Sequence, residues 1–151
     1  MNVKFVTKPW REIASFFRQS MPSAEWESDE KQMSWYNLNN TQDMWICAVA
    51  PGPVDADLSV VVAVLKFHCY AGFGVLNHLY VEPDYRNKGI ANGIVDYAKG
   101  LFMNAETPKL LTATVIFNSH AHLACHKAGF GPISEKAPVE EEEIVVGWMP
   151  S

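Results

Sequence analysis

The segment 74–103 constrains the fold more than any other part of the sequence. It begins with GVLNHLYV (74–81), a mostly apolar run whose length and composition are typical of a β-strand. From Gly89 onward the apolar residues instead recur at helical spacing. Between the two lies the short turn EPDYRNKG, with one proline, one glycine and two cations. A strand that passes through a tight turn into a helix indicates an α/β domain whose helix packs on the sheet.

The remaining sequence continues this alternation without an internal repeat. Strands are predicted at 2–7, 44–50, 58–70, 74–81, 110–117 and 140–149, and helices at 10–20, 23–36, 89–102 and 119–128. The prolines and the glycine of PGPVDAD, between the second and third strands, predict a hairpin. Gly129 is expected to stop the last helix. Because 151 residues suit one ordinary domain, we expect residues 1–151 to form a single α/β domain.

Charge and cysteine content narrow the class of protein. The chain has 12 Lys and Arg against 17 Asp and Glu, and the resulting net charge of −5 disfavours a nucleic-acid-binding surface and slightly favours cationic substrates. The three cysteines are odd in number and lack CxxC spacing, which is typical of reduced thiols in the cytoplasm. The longest apolar run, LSVVVAVL, is too short to span a bilayer, and the N-terminal segment has no signal-peptide core. We therefore expect a cytoplasmic protein with neither a membrane nor a nucleic-acid partner.

The turn before the predicted helix has the properties of an anion site. The backbone N–H groups of residues 87–91 would point outward from the positive end of the helix. Gly89 and the small Ala91 would let a ligand approach closely, and Arg86 and Lys88 would add positive charge. A diphosphate fits this arrangement, although neither the GxGxxG nor the P-loop fingerprint is present. The alternative is a plain strand-to-helix connection in which the small residues only allow tight packing, as we expect for Gly93.

Two stretches together resemble the motifs of a known family. LNHLYVEPDYRNKGIANGIV (76–95) resembles the motif with which GNAT N-acetyltransferases bind the diphosphate of acetyl-CoA. About forty residues later, NSHAHLACHKAGF (118–130) resembles the second motif of that family. The resemblance implies acetyl-CoA as cosubstrate. It also implies a single-domain GNAT-like fold, with a mixed, mainly antiparallel sheet, helices on both faces and a splay between strands 74–81 and 110–117.

The resemblance also implies which residues hold the cofactor. Main-chain groups near the end of the first strand would pair with pantetheine, the following turn would bind the diphosphate, and Asn118 would assist the pantetheine arm. The predicted cofactor-binding residues are Leu79, Tyr80, Val81, Arg86, Asn87, Lys88, Gly89, Ile90, Ala91 and Asn118. For Asn118 the alternative is a turn residue at the end of a strand.

The usual family mechanism is direct transfer from acetyl-CoA to an amine in a ternary complex. The main-chain N–H near Val81 is the expected oxyanion donor. Some members of the family carry a glutamate where this chain has Asn77, which cannot act as a base. The adjacent His78 titrates near neutrality and is therefore the leading candidate for the proton acceptor, with Glu82 and His68 as further candidates. The alternative for His78 is a structural histidine whose side chain points away from the site.

The second motif departs from the family at Cys125, which falls where a tyrosine usually protonates the departing thiolate. A thiol has a reference pKa of about 8.5 and can donate a proton, so Cys125 is a candidate general acid. The alternative is a small core residue. The nearby His120, His122 and His126 suggest a metal, but successive positions on a short helix cannot converge on one ion. We therefore expect no metal.

The acceptor is expected to bind through the N-terminal helical region. Trp26, Trp35 and Tyr36 would form an aromatic wall among several acids, and Asn77 completes the predicted substrate-binding set. The alternative is aromatic residues in the core and acids in water. Small-molecule amines and protein amines both remain open as acceptors. An acetyl-CoA-binding or regulatory protein that has lost catalysis is the alternative function, and the segment IVVGW (144–148) could pair across a homodimer.

Overall fold

The structure, a computed structural model, describes residues 2–9, 12–13, 44–52, 59–134 and 138–150. The elements in chain order are β1 (Lys4–Lys8), β2 (Met44–Pro51), β3 (Ser59–Tyr70), β4 (Phe73–Val81), a 3₁₀ turn (Pro83–Tyr85), α1 (Ile90–Met103), β5 (Leu110–Ile116), α2 (His120–Lys127), β6 (Gly131–Pro132) and β7 (Glu143–Trp148). Every strand predicted from the sequence is present, as are the two helices after residue 89. The predicted helix at 23–36 and most of the one at 10–20 lie outside the described residues.

The described strands form one mixed sheet in the order β1-β2-β3-β4-β5-β7-β6. β4 and β5 run parallel because α1 crosses over between them, and all other neighbouring strands are antiparallel. β2 and β3 pair as the predicted antiparallel hairpin. These pairings confirm the predicted single α/β domain with a mixed, mainly antiparallel sheet. β6 is not predicted, since its two residues carry no readable hydrophobic period.

One face of the sheet is covered by α1 and α2, and the main core lies there. The apolar positions of α1 recur at helical spacing and are buried, which is why this segment folds as a helix on the sheet. They are Ile90, Ile94, Val95, Ala98 and Phe102. Burial of each large aliphatic or aromatic side chain stabilises the fold by roughly 1.5 to 3 kcal/mol. Neither α1 nor α2 is long and apolar enough to cross a membrane.

Gly93 lets β1 approach α1 closely. A Cβ atom at this position would lie 2.6 Å from Cζ of Phe5, which is closer than real Cβ contacts allow. The structure thus confirms the packing role expected of Gly93.

The opposite face of the sheet is also buried in part. Because strand residues alternate between faces, Trp45 and Cys47 point away from the core that contains their neighbours on β2. Trp45 and Cys47 are both fully buried, as is Ile13 from the short described helical segment 12–13. Burial raises the pKa of the Cys47 thiol to about 12, while the Lys8 ammonium lowers it slightly.

Candidate functional site

β4 and β5 part from each other in the middle of the sheet. Their parallel pairing runs from Phe73 with Leu110 to Leu76 with Ala113 and stops there. Both strands continue past this point, β4 to Val81 and β5 to Ile116. This confirms the splay predicted between strands 74–81 and 110–117.

A bulge in β4 accounts for the splay. Lys66 on β3 pairs with Asn77, whereas Val64 pairs with Tyr80. Three residue steps along β4 therefore lie opposite two residue steps along β3. The extra residue is accommodated at His78, which has a left-handed backbone with a φ of 56°. Such a φ is uncommon for histidine and costs about 1 kcal/mol or more.

The bulge also changes which residues of β4 face the core. Before it, Gly74 and Leu76 are buried on the helix side of the sheet, and after it Leu79 and Val81 pack against that core. The bulge bends β4 away from the straight path that β5 follows. The paired strands therefore separate at the point where the bulge begins.

The separation opens a cleft on the helix side of the sheet. It is a small pocket, partly open to solvent, between β4, β5, α1 and α2. The lining residues are Leu65, Leu76, Asn77, Leu79, Val95, Ala113, Thr114, Val115, Ala121 and Cys125. Apolar side chains dominate this lining, and none of these residues is charged. The cleft therefore suits a neutral, extended ligand of mixed polarity.

The N-terminus of α1 lies at the end of β4. The helix begins at Ile90 after Gly89, which has a φ of 81° and is the N-cap residue. This left-handed conformation explains the glycine, because L-residues rarely adopt it. A Cβ atom added here would meet nothing within 4 Å, so the space in front of the helix is open. The free N–H groups of the first turn and the helix dipole together favour an anion at this position.

The two cations of the turn stay close to this helix end. The Nε of Arg86 donates a hydrogen bond to the carbonyl oxygen of Val81 over 2.8 Å, and its guanidinium lies 5.5 Å from the ring centroid of Tyr80. Lys88 lies 5.9 Å from the ring centroid of Tyr85. Both side chains are exposed. The Arg86 bond ties the turn to the end of β4 and leaves the terminal guanidinium nitrogens for a ligand.

Cys125 lies in the wall of the cleft, on α2. Its thiol is 2% exposed and packs in the core between α2 and the sheet. The helix ends just beyond it, where the N–H of Phe130 donates to the Cys125 carbonyl over 3.0 Å and Gly129 has a φ of 97°. This ending confirms Gly129 as the stop of the helix and fixes the position of Cys125.

Burial corrects the acidity expected for Cys125. The pKa of its thiol is raised to about 11, because the thiolate would lose its hydration in the core. A reference pKa for a solvated thiol does not include this effect. At neutral pH the thiol is therefore fully protonated, and it is a weaker acid than the sequence alone suggests.

His78 lies at the bulge, on the side of the sheet away from Cys125. Its side chain is exposed, and the imidazole centroid is 6.4 Å from that of Trp45, which belongs to the opposite face. Glu82 follows β4, and its N–H donates to the carbonyl oxygen of Val62 over 2.8 Å. His68 pairs with Val75, in the part of β4 that is still joined to β5. His78 therefore lies in the part of β4 that has left β5, whereas His68 faces the part that is still joined to it.

Asn118 lies in the turn between β5 and α2. It has a left-handed backbone, with a φ of 63°, and its side-chain Nδ2 donates to Oε1 of Glu140 over 3.2 Å. Its own N–H donates to Nδ1 of His122 over 2.9 Å. This link between Asn118 and His122 is not among the contacts predicted from the sequence. The pattern Ser119-x-x-His122, in which a capping serine is followed three residues later by a polar side chain, is the signal that could have shown it.

The structure does not test the predicted aromatic wall for the acceptor. Trp26, Trp35 and Tyr36 lie outside the described residues. Within the described part of the chain, no three His, Cys, Asp or Glu side chains come together in a way that could hold a metal ion. Cys47, Cys69 and Cys125 are all free thiols.

Comparison with known proteins places this site in a family. The family model described as the acetyltransferase (GNAT) family matches residues 10–130. The chain belongs to the GNAT acetyltransferase family. A search of curated proteins found no match. The splayed strands and the open helix end described above are therefore parts of a GNAT domain.

Solved structures share the fold of this GNAT domain at low sequence identity. A GNAT-family protein from Desulfovibrio desulfuricans has a TM-score of 0.71 at 12% identity, covering 98% of this chain and 99% of that one. PaiA N-acetyltransferase from Thermoplasma acidophilum, solved in complex with coenzyme A, has a TM-score of 0.68 at 12% identity, with 99% and 100% covered. The spermidine/spermine N-acetyltransferase SpeG from Vibrio cholerae has a TM-score of 0.64 at 12% identity, with 97% and 93% covered.

Proposed function

We propose that this GNAT protein transfers an acetyl group from acetyl-CoA to a primary amine by direct transfer in a ternary complex. The observation that carries the proposal is the joint position of the cleft and the helix end. β4 leaves β5 at Leu76, forms one wall of an uncharged cleft, and then leads directly to the open N-terminus of α1 at Gly89. A ligand with a long neutral arm and a diphosphate at one end matches this arrangement, as acetyl-CoA does.

The donor would bind along the cleft with its diphosphate at the helix end. The N–H groups from Asn87 to Ala91 and the cations of Arg86 and Lys88 would meet the phosphates. The pantetheine arm would lie between β4 and β5, where Tyr80 and Val81 have left β5 and remain paired with β3. The complex of the Thermoplasma acidophilum structure with coenzyme A supports this choice of ligand. No metal is required for the reaction.

The reaction needs one proton removed and one supplied. The amine nitrogen attacks the thioester carbonyl carbon, and the oxyanion accepts a hydrogen bond from the main-chain N–H near Val81. Collapse of the tetrahedral intermediate forms the amide and breaks the carbon–sulfur bond. The amine proton passes to His78, directly or through water, with Glu82 as the next candidate. The Cys125 thiol donates its proton to the departing CoA thiolate and is later reprotonated from solvent.

The placement of His78 and Cys125 supports different roles for the two residues. Cys125 lies in the cleft on the helix side, whereas the exposed imidazole of His78 lies against Trp45 on the other side. An acceptor that approaches from the Trp45 side would meet the base first and the thioester at the gap between the strands. The thiol would then face the leaving group from the donor side. The raised pKa keeps Cys125 protonated at neutral pH, but it also makes the thiol a weaker donor than a solvated one, so the role depends on its position beside the leaving group.

The experiment that tests the proposal is CoA release from acetyl-CoA, measured with a panel of amines. The panel contains polyamines, amino acids, aminoglycosides, and peptides with a lysine or a free N-terminus. We expect at least one amine to accelerate CoA release far above the rate with acetyl-CoA alone, and mass spectrometry to find one acetyl group on that amine. Binding of acetyl-CoA without turnover on any amine would instead favour the regulatory alternative. An absence of acetyl-CoA binding would overturn both functions.

A further inference from the structure

Asn118 and His122 form a closed arrangement at the start of α2. Ser119 caps the helix, and its Oγ accepts a hydrogen bond from the N–H of His122 over 3.2 Å. In return, Nδ1 of His122 accepts the N–H of Asn118 over 2.9 Å. The arrangement is similar to a capping box, except that the His122 imidazole accepts from the N–H of Asn118 rather than from the N–H of the N-cap residue Ser119. Since Nδ1 accepts, a neutral His122 carries its proton on Nε2.

Two further contacts hold the arrangement in place. The ring of Phe117 lies 5.5 Å from the imidazole of His122, measured between centroids. On the other side, Oε1 of Glu140 accepts from Nδ2 of Asn118. The Glu140 contact fixes which way the amide is turned, because it takes the nitrogen and leaves the Oδ1 of Asn118 for a ligand. Both the backbone and the side chain of Asn118 are therefore oriented by neighbours.

The position of Asn118 relates this arrangement to the cleft. Val115 and Ala121, which line the cleft, lie three residues before and three residues after it. Its left-handed backbone turns the chain from β5 into α2. Asparagine is one of the few residues besides glycine that adopt a left-handed backbone. The bond from the Asn118 N–H to His122 fixes the orientation of this turn relative to α2.

We propose that His122 is a positioning residue that holds Asn118 in the conformation in which its amide oxygen accepts a hydrogen bond from an amide N–H of the pantetheine arm. This inference rests on the proposed function. His122 does not touch the donor, and it acts through the backbone N–H of Asn118. Glu140 acts on the same residue from the other side by setting the direction of the amide. The expected signature is weaker donor binding with an almost unchanged rate on the bound donor.

Two substitutions of similar shape test the role of His122. His122→Asn keeps an acceptor atom, Oδ1, near the place of Nδ1, whereas His122→Leu has the same branching and no acceptor. Both lose the ring contact with Phe117, so their difference isolates the hydrogen bond. We expect His122→Leu to raise the KM for acetyl-CoA by roughly 2- to 12-fold, the range that a single net hydrogen bond supports, with kcat nearly unchanged. His122→Asn should recover most of the affinity.

A double-mutant cycle with Asn118→Gly separates positioning from a general effect on folding. Glycine keeps the backbone N–H and suits the left-handed conformation, but it removes the amide side chain. With that side chain gone, His122→Leu should add little to the KM, because there is no longer an amide to position. Additive effects of the two substitutions would overturn the proposal. An equal KM for the Leu and Asn variants would also overturn it, whatever their melting temperatures.

Glu140→Ala provides a second arm in case His122→Leu does not fold. Glu140 is exposed and lies outside α2, so its loss leaves the helix intact. We expect Glu140→Ala to raise the KM for acetyl-CoA when Asn118 is present, and to have no effect on the KM when Asn118 is replaced by glycine. An equal effect in both backgrounds would contradict the proposal. The parent serves as the reference for the proposed function, because a parent protein whose melting temperature does not respond to acetyl-CoA disproves that function before any variant is compared.

Discussion

The imidazole of His78 lies 6.4 Å from the indole of Trp45, centroid to centroid, on the side of the sheet away from the cleft. The bulge that puts His78 there gives it a left-handed backbone. Its placement at the gap between β4 and β5 is the reason for proposing His78 as a base on the acceptor side. The same left-handed backbone determines which substitution is the cleanest test of the role.

We expect His78→Asn to lower kcat by about 10²-fold while leaving acetyl-CoA affinity nearly intact, since positioned proton transfer contributes 10²- to 10⁴-fold. Asparagine tolerates the left-handed conformation and should keep the bulge, whereas alanine would add backbone strain. Steady-state kinetics across pH are the measurement. His120→Ala, which removes an exposed histidine at the start of α2, is the control. A variant with the parental rate and pH profile would make His78 structural, and Glu82 would then be tested.

Gly89→Glu should abolish the thermal stabilisation by acetyl-CoA. In the parent this stabilisation is RT ln(1 + [L]/Kd), about 2.7 kcal/mol at a hundredfold excess over Kd. The glutamate would place a negative side chain in the open space where the diphosphate binds. Each variant is compared with its own unliganded melting temperature, because the positive φ makes any side chain here costly. Gly100→Glu is the matched control, since this glycine of α1 also has open space around it but lies away from the helix start. An undiminished shift in Gly89→Glu would disprove the diphosphate site.

Substitutions of Cys125 separate an acid role from packing. Cys125→Ala should reduce kcat by about 10²-fold with little change in acetyl-CoA binding if the thiol protonates the leaving CoA. Cys125→Ser should behave like alanine, because a hydroxyl is a far weaker acid than a thiol. Cys125→Tyr should retain activity if the adjacent cleft accepts the ring, at a cost of about 1 to 3 kcal/mol from overpacking. Rates and melting temperatures are measured on the same samples. A folded alanine variant with the parental rate would make Cys125 a packing residue.

The buried thiols predict a loss of stability at alkaline pH. Burial raises the pKa of Cys125 to about 11 and that of Cys47 to about 12, so the folded protein holds protons that the unfolded chain releases near pH 9. The protonated thiols contribute fully to the free energy of unfolding below pH 9, and this contribution is lost as the pH rises toward 11 or 12. For Cys125 the loss is about 3 kcal/mol. Urea unfolding between pH 7 and pH 11 measures this. Cys125→Ala should flatten the decline, and an equally steep decline in that variant would refute the assignment.

The fold is largely predictable from the sequence because its elements carry strong periods. The helical spacing from Gly89 to Phe102 and the apolar runs of the strands predict α1 and the order of elements. The bulge at His78 is different, because the modest enrichment of histidine in left-handed conformations does not single out this position in the strand. It arises from pairing with β3, which is a tertiary contact. The two-residue strand β6 is missed because it is too short to show a pattern.

The candidate site also contains residues that the sequence predicts and residues that it does not. Gly89 is predictable because the left-handed N-cap demands glycine, and its neighbours in the turn follow from it. The acidity of Cys125 cannot be predicted from the sequence, because a reference pKa does not include the effect of burial. The bond between Asn118 and His122 also depends on coordinates, although the Ser119 cap three residues before His122 provides a local hint.

The extra residue of β4 means that this strand is out of step with the sheet over half its length. A strand with one residue more than its neighbour over the same distance cannot stay in register with partners on both sides. β4 therefore remains paired with β3 and loses its pairing with β5. Deleting His78 would remove the mismatch, and a straight β4 could then extend its parallel pairing along β5 and close the gap. One additional residue in β4 therefore separates a continuous sheet from a sheet with a gap for a ligand.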